Sequence, residues 1–220
     1  YDPKADGWQP LPSMPTARKH LAAVAVAGKV YAIGGSDDVN LCDAVEAYDP
    51  ISGSWTQVAS LPVARSHHTA TVVDGKIYVV GGEIDDAEGG CVATDRVDAY
   101  DPAADSWKWL AAMPTARDSH AAAVVDGKVY VTGGYITSGD VSNAFEAYDP
   151  VTNTWTTLAN LDQVRTDHAF AAFNGKLYML GGYSSGGRFD LVEVYSPASN
   201  SWARAADMPF AIDEAVAVAL

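Results

Sequence analysis

Cysteine, basic charge and long apolar runs are all scarce in this 220-residue chain, and each scarcity excludes a class of protein. Only Cys42 and Cys91 are present, so the fold is not a disulfide scaffold. One bridge between them would need an oxidising compartment, and two free thiols are the preferred reading. Lysine and arginine number 14 against 28 acidic residues, a formal net charge of −14. A surface this acidic repels nucleic acid and anionic membrane, so neither is expected as a partner. It favours basic partners, cations and solubility. No apolar run approaches the length of a membrane-spanning helix, and no segment sustains a helical period. No secretory signal is legible, but the chain opens inside a repeat, so the compartment stays open: soluble, cytoplasmic or secreted. Phosphate loops, zinc-ligand spacings and nucleophile–base signatures are missing as well.

What the chain does have is a hydrophobic fraction of 48% with 19% charged residues, enough for a sizeable core. It also repeats. Gly-Gly pairs stand at 34–35, 81–82, 133–134 and 181–182, in steps of 47, 52 and 48 residues. Trp8, Trp55, Trp107, Trp155 and Trp202 follow steps of 47, 52, 48 and 47. Tyr-Asp-Pro recurs at 1–3, 48–50, 100–102 and 148–150, and Tyr-Ser-Pro at 195–197. Independent markers that keep the same irregular spacing identify tandem structural units.

Each unit reads as four short strands. The first is small and apolar, as in 120–125. A tight turn follows at Asp74-Gly75, Asp126-Gly127 or Asn174-Gly175, pairs that tolerate positive φ. An alternating second strand runs into Gly-Gly. The third ends at the tyrosine, Asp-Pro turns the chain, and the fourth begins at the tryptophan. Four strands cannot bury both faces alone, and radial stacking of such sheets gives a propeller.

With its paired glycines, spaced Tyr and Trp, and Arg18, Arg65, Arg117 and Arg165, the sequence resembles the kelch repeat over essentially its whole length. The resemblance implies an all-β, kelch-type β-propeller of four-stranded antiparallel blades, with the first strand lining a central channel. The tryptophans are then expected to be largely buried, and the arginines to bond loop carbonyls between blades. One domain spans 1–220, with complete blades near 18–60, 65–112, 117–160 and 165–206. Residues 1–12 and 212–220 are left as an unpaired outer and an unpaired inner strand of an incomplete blade. A ring of five or more blades is expected, with self-association through open edges if the arc stands alone.

In kelch propellers, binding loops cluster around the channel mouth. By register these positions are His20, His67, Ser119 and Asp167, two residues after each arginine, and Ser36, Glu83, Tyr135 and Tyr183, directly after each Gly-Gly. They vary while the packing positions do not, as a binding surface does on a fixed frame. Solvated loop tips are the plainer reading of any one of them. Lys19, Ser66, Asp118, Thr166 and Asp213 occupy the intervening position. His68, His120 and His168 share another register, but equivalent positions on separate blades stand too far apart for one ion, so no metal is expected. Gly-Gly to Tyr spans 18 residues in repeat 2 against 13, 14 and 13 elsewhere, and the excess is acidic and glycine-rich. No cofactor is expected. The resemblance points to a ligand- or protein-binding module, with a protein or a small polar or carbohydrate ligand at the mouth. The alternative is a carbohydrate-active kelch enzyme, such as a sugar mutarotase or a galactose-oxidase-like oxidase.

Overall fold

A computed structural model describes the chain except for residues 1, 3, 38, 219 and 220. Tyr1, Ala219 and Leu220, assigned above to the incomplete blade, therefore lie outside the described residues. The architecture is four antiparallel sheets of four strands each, met in chain order. Blade 1 comprises Ala22–Val26, Lys29–Ile33, Val45–Asp49 and Ser54–Gln57. Blade 2 comprises Thr69–Val73, Lys76–Val80, Val97–Asp101 and Ser106–Trp109. Blade 3 is built from Ala121–Val125, Lys128–Thr132, Phe145–Asp149 and Thr154–Thr157, and blade 4 from Ala169–Phe173, Lys176–Leu180, Val192–Ser196 and Ser201–Arg204. No helix among the described residues is long and apolar enough to cross a membrane.

The first strands of consecutive blades pack against one another and are the innermost. Their small side chains permit that crowding. Burial rises in the two middle strands and falls at the outermost, where only the tryptophan is partly covered. The core lies between blades. Ile33, Val45 and Ala47 of blade 1 meet Ile77, Val79 and Tyr100 of blade 2 in one cluster, and the same pattern repeats at each following junction.

The tyrosines, not the tryptophans, are the deeply buried aromatics: Tyr100, Tyr148 and Tyr195 are each 1% exposed. Trp55, Trp107, Trp155 and Trp202 are of intermediate burial, less covered than the tyrosines. An outermost strand has no further strand to cover it. Each indole works instead as a tie. Trp107 Nε1 donates to the Ala59 carbonyl of the preceding blade, Trp155 to Ala111 and Trp202 to Ala159.

The terminal segments carry no ladder strand among the described residues. Asp2 and Gly7 bridge only each other, and Trp8 is 84% exposed. Both segments still dock in register. Trp55 Nε1 donates to the Pro12 carbonyl, as its counterparts do to theirs. The Gly182 amide donates to Ile212, as Gly35 does to Arg65 and Gly82 to Arg117.

Candidate functional site

The repeated arginines build the frame of the site. The Arg65, Arg117 and Arg165 residues are 0% exposed. Each forms an ion pair with the acid two places before its own blade's tyrosine: Arg18 with Glu46, Arg65 with Asp98, Arg117 with Glu146 and Arg165 with Glu193. The same guanidinium groups donate to carbonyls at the end of the second strand or the start of the third, such as Gly133 and Ala144 for Arg117. These bonds lie within a blade, which corrects the inter-blade role expected for the side chains. It is the arginine carbonyl that bridges blades, by accepting from the second glycine of the preceding pair.

The paired glycines are needed because that approach leaves no room for a side chain. At Gly133, φ is +66°, and a Cβ would stand 2.3 Å from the Arg165 carbonyl oxygen and 2.7 Å from His168 Cε1. His68, His120 and His168 thus fill the space above the glycines of the preceding blade. They are 5–6% exposed. Burial, with arginine charge nearby, pulls His68 and His168 down to about 3 and His120 well below its ordinary value, so all three are neutral at pH 7. No cluster of three ligating side chains placed for a metal occurs among the described residues.

Two residues beyond each arginine the backbone turns left-handed: φ is 54° at His20, 51° at His67, 49° at Ser119 and 53° at Asp167, and it is 52° at Glu214, two beyond Ile212. For a residue with a Cβ this conformation is uncommon and costs on the order of 1–2 kcal/mol. A chain of backbone bonds maintains it. His67 donates to His20, Ser119 to His67, Asp167 to Ser119 and Glu214 to Asp167. Successive blades are thereby linked into a collar at the start of the inner strands, and its side chains are free to differ.

All eight predicted site residues line three adjoining depressions. The largest, about 660 Å³, holds His20, His67, Ser119, Tyr135 and Asp167, with the three buried histidines and Glu214. A second, about 260 Å³, shares His20 and His67 and adds Ser36 and Glu83. A third, about 410 Å³, shares Tyr135 and adds Tyr183. The long loop of blade 2 is no loose tip. It is a hairpin, Glu83–Asp85 against Cys91–Ala93, whose turn is closed by the Asp86 carboxylate accepting from the Glu88 and Gly90 amides.

Charge at the mouth is mostly negative. His67 Nδ1 donates to Glu83 Oε2 at 3.0 Å, a bond that raises the imidazole pKa and lowers that of the carboxyl. The His20 ring meets His67 edge-on at 4.0 Å. Asp118, 7% exposed, is pushed up to about 6 by burial and, to a smaller degree, by neighbouring Glu83 and Asp167. Asp167 is raised for the same leading reason. Asp118 and Glu214 were not among the selected site residues. Asp118 follows an arginine directly, and that register was the signal available. Ser66, His67 and Glu83 superficially form a hydrolytic triad. Ser66 Oγ and Glu83 Oε2, however, both lie 3.0 Å from the same ring nitrogen, so the carboxylate occupies the atom that would activate the serine.

The signature of the KLHDC2/KLHL20/DRC7 Kelch-repeats domain matches residues 67–212, well over half of the chain. The chain belongs to the kelch-repeat family. The kelch motif itself also matches residues 17–62, which covers blade 1. Among curated proteins, Kelch-like protein 15 of Danio rerio is 40% identical over 55 residues, 25% of this chain and 9% of that protein. The match therefore spans a small part of that relative's length. Among solved structures, that of YjhT superposes with a TM-score of 0.79 at 22% identity, covering 90% of this chain and 68% of that one. At that identity the likeness speaks for the propeller fold alone.

Proposed function

We propose that this kelch propeller is a ligand- or protein-binding module that engages its partner through the mouth loops. The observation that carries this reading is the contrast between frame and filling. Arginine and paired glycine recur in all four blades and the buried histidine in three, while His20, His67, Ser119 and Asp167 share one backbone conformation and one depression but carry three kinds of side chain. Left-handed non-glycine residues concentrate at ligand-binding and active sites. The partially exposed tyrosines Tyr135 and Tyr183 supply apolar area with a polar tip at the rim, a residue type favoured in recognition surfaces.

The test is a screen of the folded domain against a peptide library and a glycan array, with bound ligands mapped by amide chemical shifts. Perturbations are expected at Glu83, Tyr135 and Tyr183. The triple variant Glu83→Gln, Tyr135→Ala, Tyr183→Ala should lose at least about tenfold in affinity while its melting temperature changes little. Perturbations centred on the outer strands around Trp109, which is 67% exposed, would overturn the assignment.

A further inference from the structure

Blades 1 and 4 each have one side without a neighbouring blade, and the repeat shows what that uncovers. Three apolar clusters join blade 1 to blade 2, blade 2 to blade 3 and blade 3 to blade 4, and none joins blade 4 to blade 1 among the described residues. At the last place of the first strand, Val26, Val73 and Val125 are 9%, 5% and 5% exposed against the following blade, but Phe173 of blade 4 is 47% exposed. At the second place of the second strand, Ile77, Val129 and Leu177 are 0% exposed against the preceding blade, but Val30 of blade 1 is 39% exposed. Tyr178, whose ring meets that of Phe173, is also less covered than Tyr31, Tyr78 and Tyr130. Side chains that are core at every other junction are surface at these two faces, and exposed apolar patches of this kind mark interaction sites.

A second observation is an unused edge. By register, 215–218 takes the place of a first strand, with Val216 and Val218 aligned to Ala121 and Ala123 of blade 3. Those alanines pair with Thr132 and Tyr130 of the second strand and are buried. Val216 and Val218 are 91% and 77% exposed, alternating with half-buried Ala215 and Ala217, and 215–218 pairs with no strand among the described residues. An unpaired edge of this kind is where an incoming strand adds. The opening is narrow at its inner end. The depression of about 660 Å³ is lined by Lys19, His20 and Leu21 at the start of blade 1 and by Glu214, Ala215 and Val216 of the C-terminal segment. Ends that share one cavity stand too close for the four blades of a second copy, whereas a two-stranded insert suits the space.

The junctions already present specify the chemistry of such an insert. The strand that pairs with each first strand begins lysine, aliphatic, tyrosine, at Lys29–Ile33, Lys76–Val80, Lys128–Thr132 and Lys176–Leu180. In blade 2, Ile77 and Val79 face the preceding blade and Tyr78 faces the following one. We propose that the opening between blades 4 and 1 takes an antiparallel β-hairpin of a partner chain, whose first strand alternates aliphatic residues with a tyrosine and pairs with 215–218. The aliphatic side chains cover Phe173 and Tyr178, and the tyrosine covers Val30. This site lies apart from the mouth loops and does not depend on their reading as a binding face.

The probe is a synthetic peptide of residues 128–149, the second and third strands of blade 3 with their own connection, and a scrambled peptide of the same composition is the control. Each is titrated into the labelled domain while amide shifts and melting temperature are followed. The hairpin peptide should shift the Val30, Phe173, Tyr178 and Val216 amides saturably and raise the melting temperature, because it binds the folded state. Phe173→Asp and Val30→Asp, one on each face, should each weaken binding at least about tenfold. Both side chains lie outside the three clusters, so neither change should lower the melting temperature of the free domain. Silence from the hairpin peptide, equal shifts from the scrambled one, or shifts confined to the mouth loops would overturn the proposal. Sedimentation supplies a further test. Self-association of the domain that Phe173→Asp abolishes and the peptide does not compete would assign the faces to a second copy and overturn it too.

Discussion

Arg165 and Asp167 stand two residues apart at the start of blade 4, and they face opposite situations. The arginine is 0% exposed, paired with Glu193 and bonded to the Gly181 carbonyl. The aspartate lines the mouth in a left-handed conformation and shares its depression with Lys19. The same contrast recurs at 18 and 20, 65 and 67, and 117 and 119. One position holds each blade in shape and uses its charge to do so. The other inherits a fixed backbone and an open side chain. On the proposed function, stability and recognition are separated by two residues, and the molecule can vary the second without disturbing the first.

The sharpest way to break that contrast is to remove a framework arginine. Arg165→Met leaves Glu193 buried without its partner, and loss of one member of a buried pair costs about 3–5 kcal/mol. Arg165→Met combined with Glu193→Leu should recover most of the loss, because apolar replacement of a whole buried pair is often neutral. Urea midpoints decide the matter, and a single-variant loss below about 1 kcal/mol would place the arginine outside the frame.

A smaller effect comes from acid. An unfolded imidazole takes its proton near 6.5, while folded His168 does so only at about 3. Between those values the unfolded state binds more protons, so this contribution is complete above pH 6.5 and is lost as pH falls toward 3. Each buried histidine adds about 1.4 kcal/mol per pH unit to the slope in that window. Urea titrations at pH 7 and pH 5 should show the drop, and His168→Asn should make it shallower.

The smallest effect has the opposite sign and lies at the mouth. Folded Asp118 titrates at about 6, above the ordinary value of 3.8. The folded state binds the extra proton between those values, so this group reduces stability as pH rises through them, and fully so above 6. Asp118→Asn should raise stability at pH 7 by on the order of 1–2 kcal/mol, and the gain should vanish below pH 4. On the proposed function, a mouth residue that destabilises its own fold is one kept for recognition. A neutral or destabilising Asp118→Asn at pH 7 would blur the comparison drawn above.

Much of this was legible in advance because repetition exposes register. The paired glycines, the tyrosine and the tryptophan placed the strands of all four blades. The eight mouth residues could be named because each stands at a fixed distance from an invariant neighbour. The acids that pair with the arginines were equally readable, as Glu46, Asp98, Glu146 and Glu193 all lie two places before a tyrosine. The partial exposure of the tryptophans was not readable. It depends on the absence of any strand outside the fourth, and no local pattern records that.

The sequence by itself determined the kelch repeat, the strand order within each blade and the backbone frame of the mouth, since glycine, proline and apolar alternation act over a few residues. Only the tertiary structure decided which charges remain available. Arg117 and Asp118 are adjacent in the chain, yet one meets Glu146 inside its blade and the other faces Glu83 and Asp167 across neighbouring blades. Whether a charge is neutralised or left to meet a partner depends on what lies within a few ångströms of it, and those neighbours come from distant parts of the chain.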